Sequence, residues 1–409
     1  MEQLKKGYKK TELGVIPEDW NFYKVNDLIE SGVIEKPLDG NHGNIHPKRS
    51  DFVDYGIPFI MANNVYKGKL DLQDCYFITE AHARKLQKGF SFEGDVLITH
   101  KGTVGNTTIV PIISTPFIML TPQVTYYRVK DVTKLNNRFL KCYFDFGSFQ
   151  RILKNHSGGG TRAYIGIVKQ KELPVILPPT LNEQKAIADA LTEVDELITN
   201  LEKLIAKKKA IKQGAMQQLL TPPHKGGKRL DGFSGDWEEK TLGEVCNIKK
   251  GQLITESTRV NGEVPVIAGG KTPAYFHNMP NRIGKTITIS GSGASAGYVS
   301  FHITPIFASD CSTIEENKDY SIEFLFYFLQ LMQEEIYRMQ TGGAQPHIHP
   351  SDLKPIKICL PKLNEQESIA QIIREMDIEI KVNIDKCKKI KLNKQGMMQE
   401  LLTGKTRLI

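Results

Sequence analysis

Two histidine pairs and one acid-rich run have the residue types and spacing for chemistry. His347 and His349 stand two positions apart and would share one face of a strand, where two imidazoles could hold a transition metal. No third ligand lies near them, so a polar loop contact is the expected role, and His42 and His46 carry the same expectation. Glu238 and Lys240 have a nuclease-like acid-x-lysine spacing, but three consecutive charges after Trp237 read as an exposed turn. Gly270-Lys271-Thr272 and Gly404-Lys405-Thr406 end like phosphate loops, yet the required first glycine is replaced by Pro265 and by Gln399. Leu177-Pro178-Pro179-Thr180 lacks the Asn and the aromatic of an Asn-Pro-Pro-aromatic methylation loop, and no G-x-G-x-x-G follows a strand. Catalysis by this chain is not expected.

The elements that would carry these residues come from the chain as a whole. Its 409 residues suit two or three domains, and with 40% hydrophobic and 24% charged residues it can bury a sizeable core. The longest apolar run, 322–332, is broken by Glu323 and Gln330, well short of the ~18 residues that span a bilayer. Residues 1–10 are lysine-rich with no apolar segment behind them, so no secretion signal is expected. Six scattered cysteines with no C-x-x-C fit a reducing, cytoplasmic setting. The net charge of +8 permits nucleic-acid binding without requiring it.

The chain repeats itself. Leu181-Asn182-Glu183-Gln184 recurs as Leu363-Asn364-Glu365-Gln366, and the ten residues from Lys212 (KQGAMQQLLT) recur from Lys394 (KQGMMQELLT), both 182 positions later. Upstream the offset drifts: Asp19-Trp20 matches Asp236-Trp237, Ile57–Ile60 matches Val264–Ile267, Gly102 matches Gly293, Phe139-Leu140 matches Phe324-Leu325, and Gly159-Gly160 with Ile165 matches Gly342-Gly343 with Ile348. The first copy is 35 residues longer, with the excess in loop-like segments. The chain ends on Thr403-Gly404-Lys405-Thr406-Arg407-Leu408, where the central linker passes through Gly227-Lys228-Arg229-Leu230 to the second Trp. The two ends should therefore meet, closing a ring of two units.

Each copy ends in a long helix. Residues 182–220 place Ile187, Ala190, Val194, Leu197, Leu201, Leu204, Ile211 and Ala215 at steps of three and four, with Lys208 interrupting, on a helix of ~57 Å at 1.5 Å per residue. Thr180 and Glu183 have capping-box spacing; in the second copy Lys362 replaces the threonine, so the box is absent and Asn364 is the expected cap instead. The second seam is Ile369, Ile373, Met376, Ile380, Asn383, Cys387, Ile390, Met397 and Leu401, with Lys394 interrupting. Acids outnumber bases five to one over 182–199 and bases outnumber acids five to one over 200–220; the second helix repeats the split. Antiparallel pairing sets acid against base. Short β-type runs and one aromatic helix per copy (139–153 and 322–339) complete each unit. The expected fold class is α+β: two pseudo-symmetric units of mixed helices and strands, separated by two long helices in an antiparallel coiled coil.

Polar, glycine-rich loops occupy matched places in both copies: 41–49, 63–69, 99–107 and 155–164 in the first, 269–275, 290–298 and 341–349 in the second. Their side chains are of the kinds that meet phosphates and base edges. Lys48, Arg49, Lys101, Lys250 and Lys271 are the expected phosphate contacts. Asn63, Asn64, Thr103, Arg162, Tyr164, Tyr275, Ser292, Gln345 and His347 are the candidate base readers, and Asn41 is a further candidate DNA contact.

The repeated LNEQ helix starts, the repeated K-Q-G-x-M-Q-x-L-L-T helix ends, the Asp-Trp openings, the Gly-Gly loops and the terminal TGKTRL together resemble the specificity subunit of type I restriction–modification enzymes. The likeness spans residues 10–409. It implies a first target-recognition domain over 1–179, a spacer helix over 180–221, a linker with the second recognition domain over 222–361, and a second spacer helix with its tail over 362–409. Each domain would read half of a split double-stranded DNA site, and the helices would fix the gap. It implies partners as well: two methylation subunits and up to two restriction subunits. S-adenosylmethionine, ATP and magnesium would be bound by those partners, with no cofactor on this chain. Glu183, Gln184, Glu365 and Gln366, at the helix starts, are the candidate partner-docking residues.

Overall fold

The structure, a computed structural model, describes residues 6–158 and 163–408. The chain divides into two units, residues 1–200 with 387–409 and residues 201–386. The long helices, Leu181–Leu219 and Leu363–Leu401, have 39 residues each. Each gives one half to each unit, because each half is rooted in a different core: Ile187, Leu191, Met398 and Leu401 in the first, Met216, Leu220, Ile369 and Ile373 in the second.

In the first unit an antiparallel sheet runs Thr107–Ile109, Val96–Thr99, Val124–Tyr127, Leu38–Asp39. Val96, Ile98 and Tyr127 pack with the aromatic helices, while Leu97 and Tyr126 pack with Ile60, Ile118 and Leu120 of a second sheet. Both faces are covered, so Val96-Leu97-Ile98 reads as an unbroken apolar run and not an alternating one. The second sheet runs Phe90–Ser91, Ile118–Leu120, Ile57–Ile60, Tyr76–Ile78, Phe52–Val53, with its second and third strands parallel. Asn21–Lys24 pairs with Pro174–Leu177 beside the first long helix.

The second unit has the same plan. Its main sheet runs Val299–His302, Thr286–Ser290, Cys311–Glu315, Lys249–Lys250. A smaller sheet sets Val264–Ile267 between Tyr275–His277 and the parallel Phe307–Ala308, and Glu238–Thr241 pairs with Lys357–Leu360. Several extra strands of the first unit, Phe52–Val53, Phe90–Ser91 and the hairpin of Val65–Tyr66 with Lys69–Leu70, fall where its sequence is longer, while the hairpin of Tyr8–Thr11 with Gly14–Pro17 precedes the repeat. So the added residues build structure as well as loops.

The aromatic helices are each broken in two: Asn137–Asp145 and Gly147–His156 in the first unit, Ile322–Leu331 and Gln333–Arg338 in the second. One continuous helix is the expectation from sequence. Phe146 in extended conformation makes the first break, and Met332 leaves helical geometry at the second. Both helices start on a side-chain cap, Asn136 accepting from Phe139 N and Ser321 from Phe324 N.

The long helices pair antiparallel within each unit. In the first, Lys394 reaches Asp195 at 2.6 Å; in the second, Lys212 reaches Asp377 at 2.7 Å. Both residues of one pair lie 182 positions from those of the other, so the two bonds are the same bond in the two copies. The expected second seam is confirmed through Ile369, Ile373, Ile380, Cys387 and Leu401, all buried. The first seam needs correction. Leu197, Leu204 and Ile211 are exposed, and the inward row is Val194, Ile198, Leu201, Ile205, Lys208, Lys212 and Ala215. Lys208 and Lys212 belong to the seam because their ammonium groups reach Glu379 and Asp377. Among the described residues no helix is long and apolar enough to cross a membrane.

Candidate nucleic-acid interface

At one end of the main sheet of each unit, the loops leaving its central strand meet the loop before the long helix. In the first unit Ile165 N donates to His100 O and Gly102 N to Ala163 O, which places Lys101 against Tyr164 as an isolated bridge. In the second, Ile348 N donates to Gly291 O and Gly293 N to Pro346 O, which places Ser292 against His347. The base of the loop closes the same way in both: Gly105 N donates to Thr99 O, and Gly297 N to Ser290 O. A third strand end is tied in alongside, His100 N donating to Gln123 O and Gly291 N to Asp310 O. Each rim is therefore a set of main-chain straps that leaves only the loop tips free.

What the tips offer differs between units. The first exposes Lys101, Thr103 and half of Tyr164, with Lys48, Arg49 and Asn63 on neighbouring loops. Beneath Tyr164 lies the buried His100, ring centroids 5.6 Å apart, with its Nε2 3.8 Å from Asp39. Burial lowers the pKa of His100, so it is neutral near pH 7. Burial alone would raise the pKa of Asp39, but bonds from Lys88 and His42 hold it below the usual carboxylate range. In the second unit a recess is lined by Lys250, Ser292, Asp310, His347 and His349. Ser292 Oγ donates to Asp310, and the two imidazoles lie parallel with centroids 6.2 Å apart. Lys271 sits 5.2 Å over the Tyr298 ring. Gln345 is exposed beside His347, and Tyr275 is half-buried with its hydroxyl given to Ile254 O.

Several expected DNA contacts serve the fold instead. Asn41 is buried, donating to Lys88 O and accepting from Gln87 N. Asn64 is buried and ties Met61 N to Asp74 O. Short polar side chains in loops bond their own backbone as readily as a ligand. Arg162, with Gly159 and Gly160, lies outside the described residues.

The four proposed docking residues are also corrected. Glu183 and Glu365 are 3% and 1% exposed, and Gln184 and Gln366 are buried beside them. Glu183 takes two bonds from Arg407, and Glu365 one from Arg229. Gln184 accepts from Asn136 N and Gln366 from Ser321 N, so each glutamine holds the start of its aromatic helix. Arg407 also reaches Asp19, so the C-terminal tail lies against the opening of the first unit, in line with the ring closure expected from sequence.

No group of three or more His, Cys, Asp or Glu that could hold a metal occurs among the described residues. His42 is bonded to Asp39 and His46 to Asn41 O. Glu239 is held by Lys225 and Lys357, whose bonds pull its pKa down to about 2, and Glu238 is held by Lys240. The nuclease-like run is thus a paired surface strand.

Gln150, Gln333, Gln123 and Asp310 belong to the rims and are not anticipated from sequence. The first two lie 183 positions apart, the offset of the neighbouring Gly-Gly match, and extending the repeat would find them. Gln123 and Asp310 differ in type and leave no such trace.

The profile of a family described as the type I restriction modification DNA specificity domain matches residues 17–213 and 234–393. A Methanocaldococcus jannaschii protein assigned as the specificity subunit of type I restriction enzyme MjaX is 27% identical, with 98% of this chain and 97% of that protein aligned. The MjaVIII specificity subunit of the same organism is 24% identical over 96% and 94%. The crystal structure of a type I restriction–modification S subunit from M. genitalium superposes with a TM-score of 0.64 at 18% identity, covering 98% of this chain and 97% of that one. A chain from a study of type I complex assembly and conformational transition gives 0.58 at 17%, covering 96% and 99%. At these identities the solved structures support the fold.

Proposed function

Because this chain belongs to the type I restriction modification DNA specificity family, we propose that it reads a split duplex DNA target, one half-site per unit, for a complex whose other subunits do the chemistry. The observation that carries this reading is the repeated rim: the same straps in both units, with unlike side chains at the tips. Lys48, Arg49 and Lys101 in the first unit, and Lys250 and Lys271 in the second, suit phosphates and would make binding salt-dependent. Asn63, Thr103 and Tyr164, and Ser292, Gln345 and His347, suit base edges. Asp310 adds an acceptor for the amino group of adenine or cytosine.

The chain itself is non-catalytic in this reading. Adenine N6-methylation with S-adenosylmethionine, and ATP- and magnesium-dependent restriction, fall to two methylation subunits and up to two restriction subunits in the cytoplasm. The long helices set the gap between half-sites. Footprinting the chain with its methylation subunits, on a target selected from a randomised duplex library, tests the reading. Two protected patches about one helical turn apart, ~34 Å, are expected, fading steeply with salt. One undivided or salt-insensitive patch would overturn it, as would methylation or cleavage by the chain alone.

Leu204 and Ile211 are the surface this reading offers to a methylation subunit. Both are exposed on one flank of the first long helix within the second unit, one heptad apart. Changing both to Glu is expected to abolish co-purification with the methylation subunit while the melting temperature stays that of the parent. Unchanged co-purification would place docking elsewhere.

A further inference from the structure

We propose that Gln150 and Gln333 are positioning residues, each setting the tip of its own reading loop and so tuning recognition of its own half-site alone. This rests on the DNA-reading function above. Gln150 Nε2 donates to Gly105 O at 2.8 Å, and Gln333 Nε2 donates to Gly297 O at 2.8 Å. Both glycines are left-handed, with φ of +101° and +83°, and both close the base of the loop through their own N–H. One glutamine therefore grips, from behind, the carbonyl of the residue that ends each reading loop.

The neighbouring sequence shows that this contact is not a by-product of a similar helix. At the shared offset of 183, Phe149 and Arg151 correspond to Met332 and Glu334, while the glutamine between them is the same. The second bonds also differ: Gln150 donates to Phe144 O, and Gln333 accepts from Val299 N. What the copies share is the grip on the loop. The breaks in the aromatic helices make it possible, since the glutamines lie on the short helices that follow them, Gly147–His156 and Gln333–Arg338. Both side chains are half-buried and neither belongs to a hydrophobic core. Their loss should therefore loosen a loop without opening a cavity.

Gly105 and Gly297 cannot take over the task themselves. A Cβ at Gly105 would stand 2.3 Å from Gln150 Oε1, and one at Gly297 would stand 2.8 Å from Ile348 Cδ1. At the glycine itself the loop is held by its own backbone and one glutamine amide. The residue beside it is held too, Asn106 by its bonds to Thr99 Oγ1 and Val65 O, and Ala296 by Gln340, which donates to its carbonyl. A loop held this way presents Lys101 and Thr103, or Ser292, in one arrangement before DNA arrives, so less ordering is left for the binding step.

The test uses the chain assembled with its methylation subunits and the target selected for the parent complex. Gln150→Ala and Gln333→Ala are measured on the intact site and on sites with one or the other half scrambled. Gln150→Glu and Gln333→Glu keep the side-chain length but remove the donor, so they serve as the second variants. Each substitution is expected to weaken binding about tenfold, the scale of one lost hydrogen bond. The loss should vanish once that unit's half is scrambled and persist when the other half is. Gln150 and Gln333 should act on opposite halves, with a melting temperature lowered by no more than about 2–4 °C and faster exchange of the Gly105 or Gly297 amide hydrogen. Equal weakening on both halves, or binding that matches the parent, would overturn the proposal. If the parent complex itself selects an undivided site, the underlying reading falls and this proposal falls with it.

Discussion

Arg407→Ala is expected to destabilise the first unit by about 3–5 kcal/mol, the range for removing one partner of a buried ion pair. Glu183 is the reason. Its carboxylate is 3% exposed and takes bonds from Arg407 at 2.5 and 2.9 Å. The same guanidinium reaches Asp19 at 3.1 and 3.0 Å and lies 5.8 Å from the Trp20 ring. Without it, Glu183 stays buried with its charge uncompensated. The four nitrogen–oxygen contacts use the planar fork of arginine, so Arg407→Lys should recover only part of the loss. Replacing Glu183 and Arg407 together by Leu and Met should cost less than Arg407→Ala alone, because no buried charge remains. The second unit offers the matched experiment. Arg229 bonds Glu365, which is 1% exposed, and Arg229→Ala should destabilise that unit on the same scale. Denaturant unfolding followed at both units measures each change. A loss under about 1 kcal/mol in both would show that these pairs behave as surface ion pairs.

Gly404, three residues before Arg407, packs against the same N-terminal segment. Gly404 has a φ of +68°, and a Cβ there would stand 2.6 Å from Pro17 Cγ and 3.0 Å from Trp20 Cε2. The C-terminal tail is therefore fitted onto the N-terminal unit by backbone contact as well as by charge. This closure was legible in the sequence, since the ending Gly404-Lys405-Thr406-Arg407-Leu408 resembles the linker that enters the second unit.

Large features repeat and so could be read: the two units, the paired helices and their direction. Direction was legible because charge is divided along each helix, and the Lys394–Asp195 and Lys212–Asp377 bonds use that division. The first seam departs from its apolar periodicity for a physical reason. Apolar periodicity favours Leu197, Leu204 and Ile211 over Lys208 and Lys212, but a lysine stem can lie in a seam if its ammonium group finds an acid on the partner helix. Single loop residues were least legible. Asn41 and Asn63 look alike in sequence, yet one is buried against Lys88 and the other is exposed. The choice depends on which backbone groups nearby lack a partner, and that is set by strands distant in the chain. The role of the glutamines at the helix starts is hidden in the sequence for the same reason, because Asn136 and Ser321 reach them from far upstream.

On the proposed split-site reading, adding one heptad to each long helix, after Asn200 and after Lys386, is expected to cut affinity for the parent target by about 10²–10⁴-fold while leaving both half-site sequences unchanged. Seven residues keep the seam in phase, so pairing survives, and lengthen each helix by ~10 Å at 1.5 Å per residue. Along duplex DNA that equals about three base pairs at 3.4 Å each, which also turns the second half-site by roughly a third of a helical turn. With the gap and the facing both wrong, the two units cannot engage one parent target together. Binding then falls to that of a single unit, and the whole gain from linkage is lost. Three heptads restore the facing, since ~32 Å is close to one turn. That variant should select a target with the same two half-sites and a gap longer by about nine or ten base pairs. A heptad added to only one helix should instead shift the pairing register and lower the melting temperature, because Lys394 and Asp195, or Lys212 and Asp377, would no longer meet. If the three-heptad variant keeps the parent gap, the helices do not set the spacing. If it selects new half-site sequences, base reading is not confined to the rims.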